Sequence, residues 1–501
     1  MRHFRSTCFL PALIILSFCM ATGLAFATNQ GKVSSTDDPK DQSFPVTTAS
    51  QAAARYFETG MVHYENHRWN FALSDWNEAI KLDPNFALAY TWICFTTVDP
   101  AEENADRAKA IALLKNITPA EQLMVRWMAG VHGNNYLEGI SSMNDMLALY
   151  PHDKRLNFLV AYWLYKQDQY DPAKKLTLRA LAEDPRYATA YNQLAYLYSR
   201  IPDHPKSLEA AAKYVELLPN EPNPHDSYGE MLRLAGHFQE ALAQYRLALK
   251  MDPTFYISQK ELGETYSLMG EEEQARTEYT KAIHDAPSDG LRAEYLQKLA
   301  LTYIREKKYE DADKAYLDAA AKAHATGQWV WEARAHRIMA MYEKDAVTAM
   351  KNLEQAEAIL AEKKEVVAQA DLDEERARIL RVRVERALAA SDQSAANSPL
   401  AELEKLANSG SSVNVQRTYH GAEGSLLIAE QKYANAISHL EEDVANPMSM
   451  KLLVTAYRKT GFTADANVLS KKLIDWKIPT TEEALAVPEF RSQEAALALK
   501  K

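Results

Sequence analysis

The side chains in this sequence that could do chemistry include three histidines and a cysteine. His204, His225 and His237 fall within one stretch, but their spacing suits neither one helical face nor a pair of metal ligands. We interpret them as packing or surface residues. Cys94 takes a place where a small residue would let two helices pack, so we expect a buried, inert thiol rather than a nucleophile.

Sequence motifs for common catalytic chemistry are absent. The sequence has no helix motif with paired zinc-binding histidines, no glycine-rich phosphate loop followed by lysine, and no nucleophilic serine in a Gly-x-Ser-x-Gly turn. We therefore predict no catalytic residue, no cofactor and no metal site.

One basic cluster could bind an acidic partner. Residues 371–390 place five arginines on one predicted helix, after four acids: Arg376, Arg378, Arg381, Arg383 and Arg386. The alternative, which we favour, is a solvated helix face with internal ion pairs.

Prolines mark a regular period along the chain. Seven of them are separated by 35, 32, 34, 34, 34 and 34 residues: Pro84, Pro119, Pro151, Pro185, Pro219, Pro253 and Pro287. No segment shows sustained alternation of apolar and polar residues bounded by hairpin turns, so strands are not predicted. The sequence predicts an all-α chain built from units of about 34 residues.

Small and aromatic residues recur at fixed places in these units. In one unit, Gly263 and Ala275 are small enough to let two helices approach, and the rings of Tyr266 and Tyr279 fill the space beside that contact. Pro287 ends the unit because it cannot donate a helical hydrogen bond. The preceding unit has the matching residues Gly229, Ala241, Tyr245, Ala248 and Pro253.

The period and these marker residues resemble the tetratricopeptide repeat family. The resemblance implies a right-handed superhelical solenoid of antiparallel helix pairs, with about 11 to 12 units. We expect a regular array over 51–325 and degenerate helix pairs over 326–480, with a loop at 391–400. The tail, 481–501, is expected to form a capping helix that shields the last apolar face.

The N-terminus has the features of an export signal. Residues 1–27 begin with two arginines, continue through an apolar stretch and end in the small-residue pattern Ala-Phe-Ala. We predict cleavage after Ala27, followed by a flexible linker over 28–50. An uncleaved membrane anchor and a lipoprotein modified at Cys19 are the alternatives.

The charge balance narrows the range of partners. The formal net charge is −11, and it becomes −13 when residues 1–27 leave, because they contain two arginines and no acid. General nucleic-acid binding is therefore not expected, nor is adhesion to an anionic membrane or stable membrane insertion after cleavage. Cys94 alone remains, so no internal disulfide can form. We expect a periplasmic protein, with secretion as the alternative.

The family resemblance also implies a binding function. In that family the first helix of each unit lines a concave groove that holds a peptide or helix of a partner. Counted from the marker residues, the groove positions are expected to be Tyr64, Phe158, Tyr162, Tyr165, Asn192, Tyr196, Asp226, Glu230, Arg233, Lys260 and Glu264.

These groove residues do not suggest every binding mode of the family. Some members hold a C-terminal carboxylate with paired lysine and asparagine. Here only Asn192 and Lys260 lie at related positions, in units that are not adjacent, so this clamp is not expected. Tyr162 and Tyr196 suit apolar anchors of a partner protein. The alternative is that both rings only pack between units.

Two functions are consistent with the sequence. The first is a non-enzymatic protein-interaction scaffold outside the cytoplasm, of an exported bacterial type. The second is an enzyme, or a regulatory or accessory subunit of an envelope enzyme or of a secretion or assembly complex.

Overall fold

The computed structural model describes residues 43–97, 100–131, 135–200, 203–286, 288–362, 367, 369–409 and 412–498. The predicted signal sequence and most of the predicted linker lie outside these ranges. The α-helices of the described residues are α1 Gln51–Glu65, α2 Trp69–Leu82, α3 Ala87–Thr96, α4 Pro100–Ala112, α5 Pro119–Val131, α6 Tyr136–Leu149, α7 Lys154–Lys166, α8 Tyr170–Glu183, α9 Ala188–Arg200, α10 His204–Leu217, α11 Pro222–Ala235, α12 Phe238–Met251, α13 Tyr256–Met269, α14 Glu272–Asp285, α15 Asp289–Arg305, α16 Tyr309–Ala325, α17 Trp329–Tyr342, α18 Ala346–Glu362, α19 Gln369–Ala389, α20 Gln393–Asn408, α21 Val413–Ala429, α22 Tyr433–Leu440, α23 Pro447–Thr460, α24 Thr463–Ile474 and α25 Thr481–Ala498.

Successive helices form pairs, from α1 with α2 to α23 with α24, and α25 follows the last pair. The described residues thus contain twelve pairs, of which eight end by Ala325, and two short 3-10 helices but no strand. The predicted all-α solenoid of about 11 to 12 units is confirmed. None of these helices is long and apolar enough to cross a bilayer.

The turn within a pair uses a left-handed residue. Gly236 and Gly270 take φ values of +89° and +79°, a left-handed conformation that glycine adopts at little steric cost. His67 and Asp168 occupy corresponding turns with φ values of 58° and 57°. A residue with a Cβ is less stable than glycine in this left-handed conformation. The backbone of His67 and Asp168 is therefore strained at the turns of the first and fourth pairs.

The segment 391–400 is mostly helical, so the predicted loop is wrong. Helix α20 begins at Gln393, and Pro399 lies inside it. Ala396 and Leu400 are buried against neighbouring helices. Burial of this apolar face outweighs the one hydrogen bond that proline cannot donate.

Distant units of the array also touch. In the turn before α8, the Asp168 carboxylate accepts a hydrogen bond of 3.0 Å from Arg417 of α21. Helix α25 packs on α23 and also on α15, where the Glu483 carboxylate pairs with Arg305. The last helix therefore covers an apolar face of α23 and connects two parts of the array.

Residues 43–50 lie against the first four helix pairs. The Phe44 N–H donates to Asp153 at 2.7 Å, and the Thr47 N–H donates to Glu121 at 2.7 Å. The Thr48 hydroxyl donates to Asp83 at 2.5 Å. The described end of the predicted linker is thus held by three carboxylates.

Candidate interaction surface

We call the surface that the first helices of the pairs share the inner surface. Helices α7, α9, α11, α13 and α15 contact one another in succession. Five side chains on them are spaced by 34 residues: Tyr162, Tyr196, Glu230, Glu264 and Lys298. The Tyr196 hydroxyl donates to Glu230 at 2.6 Å, and the Lys298 ammonium donates to Glu264 at 2.9 Å. Two of the four adjacent pairs in this series are therefore bonded to each other.

Aromatic rings occupy the N-terminal part of this inner surface. The rings of Tyr64 and Tyr162 meet at 6.4 Å between centroids and an angle of 85°. The His67 ring lies 5.9 Å from that of Tyr162, and its Nε2 lies 3.4 Å from Nδ2 of Asn192. The turn of the first pair thus reaches across to α7 and α9. Burial and the nearby Lys166 ammonium lower the pKa of His67 to about 4, so the imidazole is neutral near pH 7.

Two further tyrosines continue the surface. The rings of Tyr165 and Tyr196 lie 6.5 Å apart. The Arg200 guanidinium donates to the Tyr165 hydroxyl at 3.0 Å and lies 5.6 Å from the ring centroid. Burial and the Glu230 carboxylate raise the pKa of Tyr196, which keeps its hydroxyl protonated as a donor.

Charged groups form the next part of the inner surface. Arg233 donates to Glu261 at 2.7 Å and lies 3.4 Å from Glu264. Lys260 also pairs with Glu261. Asp226 accepts a hydrogen bond of 2.5 Å from Ser258, and burial followed by the Glu261 charge raises its pKa to about 8. A buried charge is stable only beside a partner of opposite charge or a hydrogen-bond donor or acceptor. The pairs in this cluster therefore stabilise the fold.

The predicted groove residues differ in accessibility. Phe158 lies in the core with its ring 5.4 Å from that of Tyr187. Four others are also buried: Asn192, Asp226, Arg233 and Glu264. The half-buried members, which a partner can reach, are Tyr64, Tyr162, Tyr165, Tyr196, Glu230 and Lys260.

A cavity of about 510 Å³ opens beside Tyr64 and Tyr162. The buried rings of Trp92 and Trp127 form its floor. Phe95 connects these two indoles, with centroid distances of 5.4 Å and 5.1 Å. The volume lies within the range of pockets that hold small ligands or anchoring side chains.

The rim of this cavity is more exposed than its floor. Trp69 and Tyr136 line it and are 41% and 47% exposed. Lys166 also lines it, with its Nζ 5.4 Å from the Tyr162 ring centroid. Burial and the Arg200 charge lower the pKa of Lys166.

Several residues of this surface were not predicted from the sequence. Lys298 continues the 34-residue series from Tyr162, so extending the count by one unit would have found it. Trp92 and Trp127 lie in the units where the proline spacing changes to 35 and 32 and the markers are degenerate. His67 contributes through a contact across the array, for which a local pattern gives no signal.

The other candidates for chemistry have structural partners. Cys94 is a buried free thiol, and burial followed by the Glu103 charge raises its pKa to about 12. His225 is buried and contacts Gln244 at 2.7 Å. Within the part of the chain that the structure describes, no group of three His, Cys, Asp or Glu residues could hold a metal.

The arginine cluster of α19 is mostly paired within the fold. Arg378 binds Glu374 of the same helix at 3.0 Å. Arg381 reaches Asp443 at 2.7 Å, and Arg383 binds Glu357 at 2.7 Å. The ion pairs of the favoured interpretation are present, but the helix face is not solvated throughout, because Arg381 is only 6% exposed.

Comparisons with known proteins match only parts of sequences. No family model matches the chain. Human Protein O-mannosyl-transferase TMTC1 is 29% identical over 181 residues, which are 34% of this chain and 20% of that protein. Hsp70-Hsp90 organizing protein 1 of Glycine max is 32% identical over 90 residues, which are 18% of this chain and 16% of that protein. The chain therefore spans a fifth or less of the length of these curated relatives.

Solved structures are similar over longer stretches. The Cut9-Hcn1 hetero-tetramer of APC/C is similar with a TM-score of 0.39 and 16% identity, over 84% of this chain and 78% of the matched chain. A tetratricopeptide repeat protein from Parabacteroides merdae gives a TM-score of 0.36 and 13% identity, over 62% and 100% of the two chains. Helix pairs that repeat every 34 residues and pack glycine against aromatic rings confirm the tetratricopeptide repeat architecture that the sequence predicts.

Proposed function

We propose that this protein is a non-enzymatic scaffold that binds a segment of a partner protein along the inner surface of its helix pairs. The observation that carries the proposal is the row of half-buried tyrosines Tyr64, Tyr162, Tyr165 and Tyr196 beside an open cavity. Aromatic rings with polar ends are frequent hot spots in protein interfaces. The buried residues of the predicted groove pack under these tyrosines and stabilise the surface.

Site-specific photocrosslinking tests this surface. Benzoylphenylalanine is placed at Tyr165 and at Lys166 on the inner side, and at Leu178, an exposed residue on the second helix of the same pair. We expect one protein species to crosslink at the two inner positions and not at Leu178. Equal crosslinking at all three positions, or none at the inner two, would contradict the proposal.

We further propose that the protein acts outside the cytoplasm, in a bacterial periplasm. The features of residues 1–27 support this location. N-terminal sequencing of protein from the periplasmic fraction should begin at Thr28. Protein that begins at Met1, or that carries lipid on Cys19, would contradict cleavage after Ala27.

A second candidate is an accessory subunit of an envelope enzyme. The similarity to part of a protein named as an O-mannosyl-transferase favours it, although the match covers 20% of that protein and brings no transferase activity to this chain. The crosslinked partner distinguishes the two functions. An accessory subunit should crosslink to an enzyme and change the rate of that enzyme when the complex forms.

A further inference from the structure

We propose that the cavity beside Tyr162 receives an aromatic side chain of the partner that is flanked by acidic residues. The side chains that carry this inference are Trp69, Trp92, Trp127, Tyr136, Tyr162 and Lys166, all of which line the cavity. The inference rests on the proposed function and adds the chemistry of the segment that is bound.

Aromatic rings make up most of the cavity lining. Trp92 and Trp127 form the floor of the cavity, while the large rings of Trp69 and Tyr136 at the rim are partly exposed to water. Covering apolar ring surface is favourable in proportion to its area. A ring that enters between these residues can make offset or edge contacts with several of them, which adds to the gain from burial.

The charge of the lining favours acidic residues beside the inserted ring. Among the described residues that line the cavity there is no Asp or Glu, although the whole chain has 68 acids and a net charge of −11. Lys166 is the one charged residue of that lining, and the charge that acts most on it is the cation Arg200. A carboxylate beside the inserted ring would complement this positive region.

A cationic ligand fits this cavity poorly. Aromatic surroundings can bind a cation over a ring face, but the Lys166 ammonium already lies 5.4 Å from the Tyr162 centroid. A second cation in the cavity would be repelled by the Lys166 ammonium.

Binding of two capped pentapeptides to the full chain tests the inference. Gly-Glu-Trp-Glu-Gly and Gly-Lys-Trp-Lys-Gly carry the same fluorinated tryptophan with opposite flanking charges, and fluorine NMR reports the dissociation constant of each. At physiological salt we expect the acidic peptide to bind about fivefold more tightly, the effect of one partly screened charge pair. Gly-Glu-Ala-Glu-Gly should not compete.

Two variants separate the charge from the ring contacts. Lys166→Met keeps the apolar stem over Tyr162 and should bring the two affinities within about twofold of each other. Lys175→Met, at an exposed position on α8, is the matched control and should leave the ratio unchanged. Tyr136→Ala should weaken both tryptophan peptides by the same factor.

Three results would overturn the inference. These are equal binding of the two tryptophan peptides, undetectable binding of the acidic one at millimolar concentration, and the same loss of preference in Lys175→Met as in Lys166→Met. Crosslinks from Tyr165 to a partner would still support the scaffold function if the peptides failed. A charge-dependent peptide site without inner-surface crosslinks would instead remove the scaffold function and leave a cavity for small acidic aromatic ligands.

Discussion

The ring of Tyr279 lies directly against the backbone of Gly263, so that a Cβ added to this glycine would lie 2.8 Å from two ring carbons. Tyr279 is 1% exposed and is enclosed on all sides, so it cannot move aside. The same relationship joins Gly229 to Tyr245, where the added Cβ would lie 2.7 Å from the ring. In both pairs, the backbone of the first helix thus packs directly against a tyrosine ring of the second helix.

Gly263→Leu should therefore destabilise the array. The added side chain overpacks the contact with Tyr279, and we expect a loss of about 1–3 kcal/mol in the free energy of unfolding by urea. Hydrogen exchange should show loosening first between residues 222 and 320, because each unit depends on its neighbours. Gly290→Ala is the control, since its nearest contact is the end of the flexible Gln328 side chain, at 3.1 Å. Unchanged exchange in this region of the Gly263 variant would argue against the assigned packing.

The inner tyrosines and the core tyrosines should respond differently to truncation. Tyr245→Ala and Tyr279→Ala each empty a fully enclosed site and should cost about 3–5 kcal/mol. Tyr162→Ala and Tyr196→Ala remove half-buried rings, so helicity by circular dichroism should persist while crosslinking to the partner falls. If the second pair melts the array as severely as the first, Tyr162 and Tyr196 belong to the core.

The fold could be predicted from the sequence because the residues that determine how two helices pack lie close together in the chain. Glycine, alanine, a ring and a proline at fixed spacing determine how two adjacent helices meet, and the same contacts recur in the structure. The loop predicted over 391–400 is wrong, because Ala396 and Leu400 of this polar, proline-containing segment are buried in helix α20.

The candidate site was less predictable, since it depends on how successive units turn. Positions Phe158, Asn192 and Asp226 repeat every 34 residues and are 4%, 2% and 5% exposed. Four residues later in their units, Tyr162 and Tyr196 are half-buried. Spacing finds both sets of positions, but it does not tell which of them neighbouring side chains cover.

Asp226 should make stability depend on pH. Its folded pKa, raised to about 8 from an ordinary value of 3.8, means that the folded state keeps a proton which the unfolded state loses between about pH 4 and 8. The contribution of this group to stability therefore falls as the pH rises through that window. In Asp226→Asn, an amide oxygen can still accept from Ser258 without titrating.

The test compares urea unfolding of Asp226→Asn and the native protein at pH 5 and pH 8. The variant should gain stability relative to the native protein by more than about 1 kcal/mol between these pH values. Glu264, whose pKa is lowered by Lys260 once its burial is overcome, titrates below its ordinary value of 4.5 and so adds no pH dependence between pH 5 and pH 8. Parallel pH dependence of the two proteins would show that Asp226 ionises normally.

Cys94 should be unreactive in the folded protein. It is buried and its pKa is raised to about 12, so hardly any thiolate exists near neutral pH. Alkylation by iodoacetamide should be slow in native buffer and rapid in urea. Rapid alkylation of the native protein would mean that the contact between α3 and α4 opens readily.

Glu483 should hold α25 against α15. Its carboxylate is 1% exposed and accepts from both terminal nitrogens of Arg305, so Glu483→Gln leaves a nearly buried guanidinium without its counter-charge. Breaking such a pair by changing one partner costs about 3–5 kcal/mol. Hydrogen exchange of α25 and α15 should rise together, while α1 to α8 stay protected.

Glu489→Gln is the matched control on the same helix, because Glu489 pairs with Lys451 at an exposed site, 2.8 Å away. An exposed pair of this kind is worth about 0–1 kcal/mol, so exchange should hardly change. If the control loosened α25 as much as Glu483→Gln, the pair with Arg305 would not be what holds the helix. If Glu483→Gln loosened α25 but left α15 protected, α25 would stabilise only the last helix pair, and the two parts of the array would be connected through Asp168 and Arg417 instead.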